Sequence, residues 1–239
     1  MLLGYEADTT AYSGRLGQAR EFSRRAVASA EREEEKETAA AYEAEAALRE
    51  GLFGNAAEAR KSAAATLALS NGNYAAALAL ALAGDAARAQ TLADDLAERF
   101  PENTLMRFNY LPTIHAQLAL NRKDSRKAIE VLKAAAPYEL GDVDGAGLFP
   151  VYVRGEAYLV EHQGAQAAAE LQKILDHRGI VLNEPTGALA HLQIGRAYAM
   201  QGDTAKARAA YQDFLTLWKG ADPDIPILKE AKAEYAKLK

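Results

Sequence analysis

The residues able to do chemistry in this chain are few and scattered. Its four histidines are His115, His162, His177 and His191. None has a second histidine within one or two helical turns, so no pair of imidazoles converges on a metal ion as in an H-E-x-x-H helix. His177 reads as a residue near a helix C-terminus, where the dipole favours its charge. His191 falls on a packing face, and His162 occupies a turn. There is no cysteine, which removes disulfides, thiol catalysis and thiolate–metal sites together. Asp94 and Asp95 are consecutive, and on a helix their side chains diverge by ~100° instead of flanking one substrate as a general acid–base pair does. No serine or threonine stands in a nucleophile-elbow context. Neither catalysis nor a cofactor is expected.

Binding chemistry remains. Tyr12, Tyr74, Tyr110, Thr113, Gln117, Asn121, Tyr152, Glu156, Gln193 and Arg196 mix aromatic rings with amides, a carboxylate and a guanidinium. Such a mixture suits a peptide, because aromatic area anchors it while polar groups pair with its backbone. These residues are selected by register. They lie between the packing positions of helices expected to line the inner surface of a repeat array.

The repeat is sharpest in the segment 195–211, which holds Gly195, Tyr198, Gly202, Ala207 and Tyr211 at offsets of three, four, five and four residues. Two helices packed around a tight turn have this spacing. Small Gly195 and Ala207 permit close approach, the tyrosines fill the space beside them, and Gly202 supplies a positive φ at the helix end. Gly155, Tyr158, His162, Ala167 and Leu171 repeat the offsets with histidine at the turn. Gly84, Gly54 and Gly14 each precede an alanine (Ala89, Ala59, Ala19) by five residues, and a degenerate copy runs from Lys123 to Ala128. The turn positions 14, 54, 84, 123, 162 and 202 are 40, 30, 39, 39 and 40 residues apart.

The unit resembles the tetratricopeptide repeat (TPR), a helix–turn–helix of about 34 residues. An all-α, right-handed α-solenoid is therefore expected, elongated, with about six TPR-like hairpins at 1–33, 36–70, 73–100, 103–136, 148–178 and 184–219. The whole of 1–239 reads as a single superhelical domain. The Ala-rich composition favours helix almost everywhere. Asn73 supplies an N-cap for a short helix over 74–83. Pro112 falls inside the apolar-periodic segment 105–120, which predicts a kink or break. Residues 137–150 read as the longest irregular stretch, and 179–182 as an extended connector. After Asp222-Pro223-Asp224-Ile225-Pro226, the recurrence of Leu228, Ala231, Tyr235 and Leu238 predicts an amphipathic helix at 224–238 that caps the array's end.

The C-terminal third resembles a narrower group. The strings L-Q-K-I-L-D-H (171–177), G-A-L-A-H-L-Q-I-G-R-A-Y-A (187–199) and Y-Q-D-F-L-T-L-W-K-G-A-D-P-D-I-P-I-L-K-E-A-K-A-E-Y-A-K-L (211–238) are similar to the C-terminal TPR region of bacterial, notably acidobacterial, eukaryotic-like serine/threonine protein kinases. The resemblance implies a regulatory or partner-binding array behind a kinase or related signalling domain. The kinase motifs are absent: no G-x-G-x-x-G loop, H-R-D or D-F-G occurs. His177-Arg178-Gly179 has Gly179 where the catalytic base would stand.

A net charge of −5 argues against nucleic acid, which is held by clustered Lys and Arg. The run Glu31–Glu37 reads as a solvated link between helices. No segment approaches the ~20 apolar residues of a membrane span. Residues 1–6 lack the basic start and apolar core of a signal peptide, and they read as the interior of a helix in a longer protein. A soluble protein of cytoplasm or periplasm is expected. It would bind a protein or peptide without catalysing a reaction, and the resemblance implies a kinase domain attached in the full-length protein. The alternative is a self-association module with an empty groove.

Overall fold

The computed structural model describes residues 2–70, 73–141 and 148–238. These residues are all-α, with no strand among them. The helices are α1 (Leu2–Tyr12), α2 (Leu16–Arg32), α3 (Lys36–Leu52), α4 (Ala56–Leu69), α5 (Tyr74–Leu82), α6 (Ala86–Arg99), α7 (Leu111–Asn121), α8 (Ser125–Leu132), α9 (Phe149–Val160), α10 (Gly164–Asp176), α11 (Arg178–Val181), α12 (Pro185–Met200), α13 (Thr204–Leu217) and α14 (Pro226–Lys237). A π-helical turn, Met106–Tyr110, runs directly into α7.

Seven turns between consecutive helices share one geometry. Gly14, Glu34, Gly54, Gly84, Lys123, His162 and Gly202 have φ between 57° and 85°. In each turn the next residue's N–H donates to the carbonyl five residues back, from Arg15 to Thr10 through Asp203 to Tyr198, at 2.8–3.0 Å. This is the Schellman closure of a helix end. It occurs at all six positions that the repeat spacing marks as turns. The seventh, at Glu34, lies within the charged run and separates α2 from α3. Five residues beyond each of the six marked turns, Ala19, Ala59, Ala89, Ala128, Ala167 and Ala207 are buried. The helices touch closely where the pattern has glycine: a Cβ on Gly195 would stand 2.7 Å from the Tyr211 ring, and one on Gly155 2.6 Å from Leu171.

Two local expectations are corrected, and a third falls partly outside the described residues. Pro112 does not break its helix. Leu111 donates instead to the Met106 carbonyl, five residues back, and this wider π turn accommodates the ring and its missing N–H. Residues 178–181 form a short helix where an extended connector was expected. Within 137–150, residues 142–147 lie outside the described residues, and Leu148, at φ 65°, leads into α9.

The elongated shape with a free, capped end is also corrected, because the first and last hairpins meet. The Trp218 indole N–H donates to the Tyr12 carbonyl at 3.0 Å, and the Gly17 N–H donates to the Asp222 carboxylate at 2.6 Å. Asn183 donates to the Tyr5 carbonyl and the Thr9 hydroxyl. Phe53 sets its ring edge-on to Trp218, with centroids 5.0 Å apart. Helix α14 bridges hairpins: the Ile227 N–H donates to the Phe53 carbonyl at 3.3 Å, while its glutamates reach α12. The physical reason is apolar. Trp218, Ile225, Ile227 and Leu228 share one buried cluster with Ala11, Leu16 and Phe53, so closing the chain removes both terminal faces from water.

Candidate functional site

Three of the first helices of the hairpins converge on one cleft. Gln117, Leu120 and Asn121 of α7, Glu156, Leu159 and Val160 of α9, and Gln193 and Arg196 of α12 line a space of about 450 Å³. Spacings of three and four residues put each helix's contributions on one face. Five of the ten residues expected in a groove are gathered there: Gln117, Asn121, Glu156, Gln193 and Arg196.

The other five do not line it. Tyr152 is 1% exposed and lies behind Gln193, whose amide N–H donates to its hydroxyl at 3.0 Å. Thr113 is fully buried and donates to the Asn109 carbonyl, one turn back in its own helical segment. Tyr74 and Tyr110 stack on each other with centroids 4.0 Å apart. Their rings fill space between α5 and the π turn. The expectation of one cleft joining Tyr110, Tyr152 and Arg196 is thus corrected: only Arg196 reaches it. Tyr12 packs on Gly187 at the meeting of the first and last hairpins. Leu120, Leu159 and Val160 were missed by the register argument, which selected polar and aromatic types. Their three- and four-residue spacing from Gln117 and Glu156 is the signal that finds them.

The hydrogen bonds fix how the amides point. Asn121 must turn its Nδ2 to the Ala81 carbonyl (2.7 Å), because a carbonyl only accepts. Its Oδ1 therefore faces Gln117, which donates through Nε2 at 3.3 Å. This leaves Gln117 Oε1 without a partner, in a residue 8% exposed. At the other wall Arg196 only donates, so Gln193 turns Oε1 to it (3.3 Å) and Nε2 to Glu156 Oε1 (2.9 Å) and Tyr152. Tyr152 in turn hydrogen-bonds Glu156. Burial pushes the Glu156 carboxyl up to about 7, against the pull of Arg196 and the Tyr152 hydroxyl.

Arg196 is itself held from behind. Its Nε and Nη2 each donate to a Glu234 oxygen at 2.9 Å, and Nη2 lies 3.2 Å from Glu230. Glu234 also accepts from the Tyr211 hydroxyl at 2.7 Å. Arg196 thus braces α12 against α14.

A second cavity, of about 200 Å³, opens between α1, α2 and α3, lined by Tyr5, Asp8, Tyr42, Glu45 and Arg49 among others. Arg49 donates to Asp8 and to the Ser23 hydroxyl. Burial raises the carboxyls of Asp8, Glu45 and Glu184, with Glu45 pushed up to about 7. Asp8 and Glu45 add repulsion at Glu184.

No protein-family model and no curated protein sequence matches the chain. Among the described residues no group of three or more His, Asp or Glu is arranged to hold a metal ion. No described helix is long and apolar enough to cross a membrane.

Proposed function

We propose that this chain is a non-catalytic TPR-like scaffold, a right-handed solenoid of six hairpins whose ends meet, and that it binds a protein or peptide in the α7–α9–α12 cleft. The carrying observation is the combination there of an apolar rim, Leu120, Leu159 and Val160, with a floor of oriented amides. Peptide sites pair those two features. The C-terminal similarity to kinase-linked TPR regions supports a regulatory or sensory role beside a bacterial serine/threonine kinase or related signalling domain. The six marked Schellman turns and the alanines that follow them support the repeat assignment.

A random peptide library displayed on phage tests the reading. Val160 is 54% exposed at the rim, so Val160→Trp obstructs the cleft without entering the core. Peptides enriched on the wild type and lost on Val160→Trp are expected. Enrichment that Val160→Trp leaves intact overturns the cleft assignment, as does an absence of enrichment. A dimer by light scattering without ligand, abolished by the same variant, turns the cleft into a self-association surface.

A further inference from the structure

The cleft's polar groups are turned so that both walls end in acceptors. On the α7 wall, Gln117 gives its amide N–H to Asn121, which gives its own to the Ala81 carbonyl. The free end is Gln117 Oε1. On the α9–α12 wall, Arg196 donates to Gln193, which donates onward to Glu156 and Tyr152. That wall ends on the Glu156 carboxyl, which also hydrogen-bonds Tyr152. Reversing either chain would leave two acceptors facing at Ala81 or two donors facing at Arg196, so the direction is fixed by chemistry.

Arg196 offers no positive charge to a ligand, because Glu234 holds it in a two-point pair and Glu230 stands 3.2 Å away. Of the lining residues, Arg196 is a cation already neutralised, and Glu156 is the carboxyl that borders the space, an anion above pH 7. An acidic peptide would meet acceptors and a carboxylate, at a desolvation cost that nothing repays. A cationic N–H donor meets charge complementarity and two acceptors. Leu120, Leu159 and Val160 border the same space, which fits an alkyl stem below a charged head.

We propose that the cleft recognises the cationic head of an arginine or lysine side chain presented by a partner peptide. Glu156 is the counter-charge, Gln117 the second acceptor, and Leu159 with Val160 the rest for the methylene stem. This rests on the peptide-binding reading above and narrows it to basic ligands.

The test uses four peptides in one frame, Ac-Gly-Xaa-Gly-NH2, with arginine, lysine, citrulline or glutamate at Xaa. Each is titrated into the ¹⁵N-labelled chain at pH 8, with the side-chain amides of Gln117, Asn121 and Gln193 as reporters. The arginine and lysine peptides are expected to give saturable shifts at these amides. Citrulline, equal in shape but uncharged, should bind at least tenfold more weakly, and the glutamate peptide should cause no shift. Glu156→Gln should reduce arginine binding to the citrulline level. That substitution keeps an acceptor for Gln193, so an unchanged spectrum away from the cleft verifies its fold. Equal binding of citrulline, preference for glutamate, or arginine binding unaffected by Glu156→Gln overturns the charge preference while leaving a peptide cleft standing. Silence of all four overturns the proposal, and the library selection then decides whether the peptide reading falls with it.

Discussion

On one face of α9, Arg154 donates through Nε and Nη2 to Glu170, through Nη2 to Glu139 at 2.6 Å, and through Nη1 to the Leu132 carbonyl at 3.0 Å. Two residues along and about 200° round the helix, Glu156 looks into the cleft. The residue types match: an arginine, glutamates and neighbouring carbonyl groups. The outcomes differ. Arg154, Glu139 and Glu170 are all under a tenth exposed, and each arginine nitrogen has an acceptor, so that face ties α9 to α10 and to the segment after α8. The Glu156 face borders a space large enough for a ligand, with the unpartnered Gln117 Oε1 on the facing wall. A buried polar group belongs to packing when its bonds close on the chain itself, and is available for recognition when they stop short.

Removing the closed side's cation should have the largest effect. Arg154→Leu strands two buried carboxylates, so a loss of about 3–5 kcal/mol is expected, read as a lower urea midpoint with little change in slope. Lys173, 3.1–3.4 Å from both glutamates, remains as a half-exposed cation. A loss under about 1 kcal/mol would show that Lys173 takes over, and the two faces would no longer differ in kind.

The open side should respond to pH. Burial raises Glu156 from 4.5 to about 7, so folding takes up a proton between those values. The stability tied to this group is fully present below pH 4.5 and is lost as pH rises through 7. The charged and titratable groups around it are Tyr152 on α9 and Arg196 on α12, with Glu230 and Glu234 of α14 behind Arg196. Glu156→Gln cannot ionise. It should match the wild type near pH 4.5 and exceed it by about 1–3 kcal/mol at pH 8. Glu45 also titrates near pH 7, but it is present in both proteins and cancels in the difference. A difference that stays flat across this window would mean that Glu156 is ionised throughout, and solvated like a surface group.

Sequence marked the turns well because the signal is local. A residue at positive φ, a buried alanine five residues on and a small residue before the turn are fixed by one hairpin's contacts, so His162 and Lys123 could be assigned from their neighbours. It marked the cleft in part. Gln117, Asn121, Glu156, Gln193 and Arg196 share a helical face, but Tyr152 and Thr113 show that a face selected by periodicity is wider than the strip left uncovered. The closure between first and last hairpins left no local trace, because Gly17 and Asp222 are 205 residues apart. The same holds for the Asp8–Arg49 pair, 41 residues apart. Ion pairs at such separations have no periodicity to read.

The smallest effect belongs to the end of α9, where neither face is involved. His162 sits at φ 57° with an exposed side chain, so its backbone can be relieved without emptying a packed site. A left-handed conformation costs a residue with a Cβ about 1–2 kcal/mol, and glycine returns about 0.5–1 kcal/mol of that through its freer unfolded chain. His162→Gly should therefore gain about 0.5–1 kcal/mol net, raising the thermal midpoint by about 1–4 °C for a chain of this length. The equivalent turn at Gly202 already has glycine at φ 76°, so Gly202→His is the mirror experiment and should lose a similar amount. A midpoint that does not rise with His162→Gly would mean that the imidazole contributes as much as the strain removes. It interacts electrostatically with Glu161, whose carboxyl is held low first by Ser125, then by Arg126, and last by His162. His162→Gln separates the two: it removes a charge contribution and leaves the backbone strain in place.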